Sequence, residues 1–229
     1  MRIENKDVML FGNPNGSYNN KFNRAVKIAC MYEQLKGKLD SFMETGSVTY
    51  RTRCALAVKL MMMTGIRVGN EDSAEGYVSK RKDALGRTIQ TYGLTTLRRR
   101  HLLFRGGACY VNFMGKREVK QALKITDKKL VGQLKKVADE SDDTLLGITD
   151  YDVRKFIRKS VGRRFTPKDF RTFFANVTAW ECAERLLRET PPQTRREFKE
   201  EIKEVAMYVR TQLHISYSIF LLLRKRRVQ

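Results

Sequence analysis

Histidine, tryptophan, proline and cysteine are all scarce in this 229-residue chain, at two, one, four and four residues. The cysteines, Cys30, Cys54, Cys109 and Cys182, stand apart, with no CxxC pair and no histidine at ligand spacing. That spacing excludes a disulfide framework and a zinc site, and the thiols read as small buried hydrophobes in a reducing compartment. Apolar runs such as "IFLLL" at 219–223 fall far short of the ~20 residues a membrane helix requires. The opening "MRIENKDVML" lacks a signal-peptide core, and there is no internal repeat and no low-complexity tract. No P-loop and no carboxylate cluster at ligand spacing is present, so no metal and no nucleotide cofactor is expected. The sequence reads as a soluble intracellular chain, long enough for one large domain, or one domain with a small appendage, either with a real core.

Acidic residues are also few. Against 46 lysines and arginines stand 25 aspartates and glutamates, a formal charge of +21. Self-repulsion of that size is relieved by a polyanion, and nucleic acid is the leading partner class, ahead of an anionic membrane surface or a ribosomal assembly. The excess is concentrated. Arg154, Lys155, Arg158, Lys159, Arg163, Arg164, Lys168 and Arg171 share their stretch with a single acid, Asp169. A merely solvated face interleaves the two signs, whereas one-signed charge suits phosphates tracked along a duplex. A second basic cluster, "LRRRH", occupies 97–101.

Hydrophobic spacing predicts a mainly α fold with a small antiparallel β-sheet insertion, an α+β class. Residues 1–20 read as an irregular arm rich in Asn and Gly. From Lys21 the pattern is helical, with Phe22, Val26, Ala29, Cys30 and Leu35 at three- and four-residue steps. "YRTRCALAVKLMMM" is apolar nearly all round and therefore central, ending at Thr64 with Gly65 suited to a left-handed cap. Across 88–125, "TIQTYGLTTL", "ACYVNFM" and "REVKQALKI" read as strands, with a hairpin turning at Gly115-Lys116. Helices resume with "KKLVGQLKKVADE" and "TDYDVRKFIRKSVG". A further one runs from Thr166, Pro167 and Asp169 as N-cap, first residue and first-turn acid. There Phe170, Phe173, Phe174 and Val177 form an apolar stripe and Arg171 points off it. After the linker "TPPQTRRE", Phe198, Ile202, Val205, Ala206 and Val209 mark one face of another helix.

Four stretches, "MTGIRVGNE" at 63–71, "YGLTTLRRRHL" at 92–102, "FMGKRE" at 113–118 and "KDFRTFFAN" at 168–176, combine with "SY" at 216–217. In order and spacing they resemble the catalytic domain of type IB DNA topoisomerases of the small poxvirus and bacterial kind. The resemblance runs from about Lys21 to Tyr217. It implies a catalytic domain over 21–217 with a short tail over 218–229, and Tyr217 as the nucleophile. It implies Arg67 and Arg171 as the guanidinium pair on the nonbridging phosphate oxygens, and Lys116 as the acid for the 5′ oxygen. Asn70, Lys168, Arg98 and Arg100 are the implied DNA contacts. Such chemistry stores the phosphodiester energy in a tyrosyl link and needs planar, permanently charged clamps on the pentacoordinate phosphate. Double-stranded DNA is the expected partner, no membrane is involved, and the location follows the DNA: cytoplasm or nucleoid, nucleus, or virion.

The chain departs from the resemblance in two places. A His or Asn in a short turn before the tyrosine donates to a phosphate oxygen in the family. Here the segment is shorter, and Arg210, Thr211, Gln212 and His214 are the candidates, His214 being the imidazole nearest Tyr217. An N-terminal β domain closes the clamp in the poxvirus and bacterial enzymes, whereas only the arm precedes Lys21, so a second subunit or partner chain is the expected complement. Two alternatives remain open at this level. Tyrosine recombinases share the arginine pair and the nucleophile, but their second arginine usually ends an HxxR motif, and Lys168 makes this one KxxR. A DNA-binding module that has lost its catalysis would keep the charge and form no covalent adduct.

Overall fold

The computed structural model of the protein describes residues 15–44, 47–70, 86 and 89–213. Ten regular elements are described: α1 (Lys21–Cys30), α2 (Tyr32–Met43), α3 (Tyr50–Thr64), β1 (Leu102–Arg105), β2 (Ala108–Gly115), β3 (Val119–Ile125), α4 (Lys128–Asp139), α5 (Asp150–Ser160), α6 (Pro167–Glu189) and α7 (Arg195–Gln212). The mainly α class with a small inserted sheet is what the sequence predicts. Helix α3 is the hub. Every residue from Cys54 to Met62 is buried, and α2, α4, α5 and α6 pack around it. An apolar surface all round a helix is buried when other helices cover it on every side.

One charge sits inside that hub. Lys59 is almost fully buried, its ammonium 2.5 Å from Asp40 of α2 and 3.8 Å from Asp127, the N-cap of α4. A buried ion group of this kind is costly to break by removing one partner. Its geometry fixes the register of three helices against each other.

The helical run from Lys21 is not continuous. It breaks at Met31 (φ −100, ψ 10), because α1 packs on α6 while α2 packs on α3; two neighbours in different directions require two helices. The break leaves Cys30 exposed, so the expectation of four buried thiols holds only for Cys54, Cys109 and Cys182.

The sheet order is β1-β2-β3, antiparallel throughout. Leu102 pairs with Val111, and Cys109 with Ile125. Cys109, Val111, Phe113 and Ile125 face the core. The described part of "TIQTYGLTTL" is not a strand. Leu94–Thr96 form a buried 3-10 turn, and the first strand instead lies after the arginines, at "LLFR". The competing partners are distant in sequence: the backbone N–H groups of Leu94 and Thr95 are taken by the loop after α3, which leaves neither for a ladder. Among the described residues no helix is long and apolar enough to cross a membrane.

Candidate phosphate-binding active site

Gly65 caps α3 in the left-handed conformation, φ +62, with its N–H on the Met61 carbonyl, the usual device for ending a helix with an abrupt change of direction. The next five residues, Ile66–Asn70, are irregular but firmly tied. The Arg67 carbonyl accepts the Leu94 N–H at 2.9 Å, and the Val68 carbonyl accepts the Thr95 N–H at 2.8 Å and the Thr95 hydroxyl at 3.1 Å. Gly69 lies directly on Gly93: a Cβ on Gly69 would sit 2.7 Å from the Gly93 Cα. "GIRVGN" and "YGLTT" are therefore two halves of one strap that holds the Arg67 backbone.

The same strap reaches the hairpin. The Tyr92 N–H donates to the Met114 carbonyl at 2.7 Å, one residue before Gly115, where the β2–β3 ladder ends opposite Val119. Lys116, Arg117 and Glu118 form the tip. Arg117 and Glu118 adopt φ +62 and +58, a conformation uncommon for non-glycine residues. Lys116 and Arg117 are exposed.

Arg171 enters from the first turn of α6. The start of that helix is fixed by Asp169, a fully buried carboxylate. Its Oδ2 accepts from the N–H and the hydroxyl of Thr166, both at 2.9 Å, and its Oδ1 accepts from Arg24 Nε at 2.9 Å. The one acid of the basic stretch is thus spent internally, leaving the outer face of 154–168 to exposed cations such as Arg158, Lys159, Arg163 and Lys168. Phe170 and Phe173 are buried as the apolar stripe predicts. Arg171 lies off the stripe. Its Nη1 donates to the Gly65 carbonyl and its Nη2 to the Leu213 carbonyl at 2.9 Å. One guanidinium therefore ties the end of α3, two residues before Arg67, to the end of α7, four residues before Tyr217.

The electrostatics are those of an anion site. Among the described residues no carboxylate forms an ion pair with Arg67, Arg117 or Arg171. Burial, then Arg67, pushes the Arg171 guanidinium down to about 9, which still leaves it charged at neutral pH. Burial, then Arg117, lowers the Arg67 guanidinium, although the residue as a whole is exposed. Cations brought near one another without acids favour an anion, which would offset the repulsion between them.

The other predicted contacts differ in how they are engaged. Arg98 is ion-paired with Asp143, and its Nε is buried without a partner, so it braces the loop. Arg100 donates to the Tyr92 hydroxyl at 2.6 Å and lies over its ring. Asn70 ends the strap, and Lys168 is exposed at the α6 start. His101 packs edge-on to Tyr92, accepts the Arg98 N–H on Nδ1, and is pushed down to about 4 by burial, then by Arg100 and Arg98. Of the candidates before the tyrosine, Thr211 donates to the Met207 carbonyl and Arg210 reaches the Met207 sulfur. Gln212 is exposed. Tyr217 and His214 lie outside the described residues.

The family model for the catalytic core of eukaryotic DNA topoisomerase I matches residues 15–219. The chain belongs to that family. A DNA topoisomerase 1B from Acanthamoeba polyphaga mimivirus is 26% identical over 136 residues, covering 53% of this chain and 40% of that protein. The chain thus spans well under half the length of that relative. Membership agrees with the type IB resemblance carried by the five motifs. Within this topoisomerase I core, motif reading passed over Arg117, although "GKRE" sets it beside Lys116. It also passed over the two carbonyls that hold Arg171, which carry no side-chain signature.

Proposed function

We propose that the chain relaxes supercoiled DNA by transient cleavage of one strand through a 3′-phosphotyrosyl intermediate, without ATP or metal, with residues 21–217 as the catalytic unit. The basic faces bind duplex DNA mainly through phosphates. The Tyr217 phenolic oxygen attacks one phosphorus as its proton leaves to solvent. The bond from phosphorus to the 5′ oxygen breaks, and Lys116 gives that oxygen a proton. Arg67 and Arg171 neutralise the nonbridging oxygens of the pentacoordinate state. The free end swivels, and the 5′ hydroxyl attacks back with the protons returning. A second chain that completes the grip on DNA belongs to the same proposal.

The observation that carries this reading is the pair of hydrogen bonds from Arg171 to the Gly65 and Leu213 carbonyls. A transition state rewards groups already in place, and this contact ties Arg171 to the loop that carries Arg67 and to the end of α7. Lys168 favours the topoisomerase over a recombinase. The test is relaxation of supercoiled plasmid in EDTA. Wild-type protein relaxes the plasmid, Tyr217→Phe does not, and Lys116→Ala is slower by about 10²- to 10⁴-fold. A requirement for Mg²⁺ or ATP, or sequence-paired strand exchange in place of relaxation, would contradict it.

A further inference from the structure

We propose that Arg117 is a third phosphate-binding guanidinium of this site, gripping the DNA phosphodiester together with Arg67 from the hairpin tip and thereby seating Lys116 against the leaving oxygen. The inference rests on the function proposed above for the identity of the anion.

The hairpin is anchored at its base and loaded at its tip. Tyr92 ties Met114 to the strap that carries Arg67, and Gly115 packs so closely on Gln121 that a Cβ there would lie 2.9 Å from its Cγ. The turn between these fixed points is short, and two of its residues take the left-handed conformation. Strain of this kind persists where the surroundings over-determine it and marks functional turns. What the tip carries is a second cation near the strap. Arg117 is exposed, has no acidic partner among the described residues, and lies close enough to Arg67 to lower that guanidinium. A surface arginine with no role relaxes away from a like charge by turning its flexible stem, whereas a bound phosphate converts the repulsion into a shared clamp. Lys116 is its neighbour in sequence, so fixing Arg117 restricts where the Lys116 ammonium can stand.

Two readouts test this. In the first, inorganic sulfate stands in for the phosphate, and its effect on thermal stability is compared with that of sodium chloride at equal ionic strength. The sulfate-specific gain expected for wild-type protein shrinks in Arg117→Gln and persists in a control at Lys120, an exposed β3 lysine. In the second, single-turnover cleavage of duplex DNA slows about 10²-fold in Arg117→Gln. The slope of log affinity against log salt falls by about one, and Arg117→Lys recovers affinity better than rate because it keeps the charge and loses the fork. Arg117→Gln cleaving at the wild-type rate while Arg67→Ala is inactive would overturn the role of Arg117 and leave the function standing. Absence of cleavage by wild-type protein would overturn the function, and the sulfate readout alone would then decide Arg117. An equal sulfate effect in all variants would count against it.

Discussion

Gly65→Ala is the smallest change that reaches the centre of the site. An alanine must adopt φ +62, which costs about 1–2 kcal/mol for a residue with a Cβ. The new Cβ would stand 2.6 Å from Phe174 Cδ1 and 2.7 Å from Leu213 Cδ2, distances that force both side chains to move by about 1 Å. Overpacking of that size costs about 1–3 kcal/mol. The total is about 2–5 kcal/mol, and at about 2–4 °C per kcal/mol for a domain of this size the melting temperature should drop by about 4–20 °C. Gly37→Ala provides the opposite sign. Gly37 is in α2 with nothing within 4 Å of a Cβ, and alanine there should stabilise by about 0.5–1 kcal/mol. Thermal melts of both variants check the pair. Gly65→Ala should also act on the site, because displacing Leu213 also displaces the carbonyl that Arg171 holds; single-turnover cleavage should fall more than DNA affinity does. A Gly65→Ala protein that melts with wild type, or one that melts lower but cleaves at full rate, would refute the packing argument or the latch respectively.

The remaining outcomes follow from the same geometry. Asp169→Ala removes the carboxylate shared by Thr166 and Arg24, and should destabilise by about 3–5 kcal/mol in urea unfolding because it strands a part-buried guanidinium. His101 is held neutral, its folded value about 4 against 6.5 when free. The unfolded chain therefore binds more protons between these values, and stability that is full above pH 6.5 is lost as pH falls toward 4, by about 2 kcal/mol once solvent screening is allowed for. His101→Gln should flatten that part of the pH–stability curve relative to wild type.

Much of the frame could be read from the residues because its signals are local. The run Cys54–Met62 has no polar face to expose, so its central place follows, and Gly65 after Thr64 announces the cap. Thr166, Pro167 and Asp169 spell the start of α6, and its phenylalanine spacing correctly sets Arg171 off the stripe. What could not be read depends on partners distant in sequence. The propensities of "TIQTYGLTTL" favour a strand, but Arg67 and Val68 claim the N–H groups of Leu94 and Thr95. Nothing local in "LLFR" outweighs the arginines before it. The apolar face expected on α7 exists as a pattern, yet Phe198 and Ile202 are half exposed, since the helix packs chiefly on α6. At the site, the motifs pointed to Arg67, Lys116 and Arg171, while the carbonyls that position Arg171 came from the fold alone.

A tyrosyl-DNA bond is the central step of the proposed reaction. Duplex DNA labelled on the scissile strand, incubated with protein in EDTA and quenched in denaturant, reports it directly. Wild-type protein should give a covalent conjugate attached through the 3′ phosphate, and Tyr217→Phe should give none. Tight, salt-sensitive DNA binding with no conjugate from wild-type protein, or a conjugate that survives Tyr217→Phe, would contradict it.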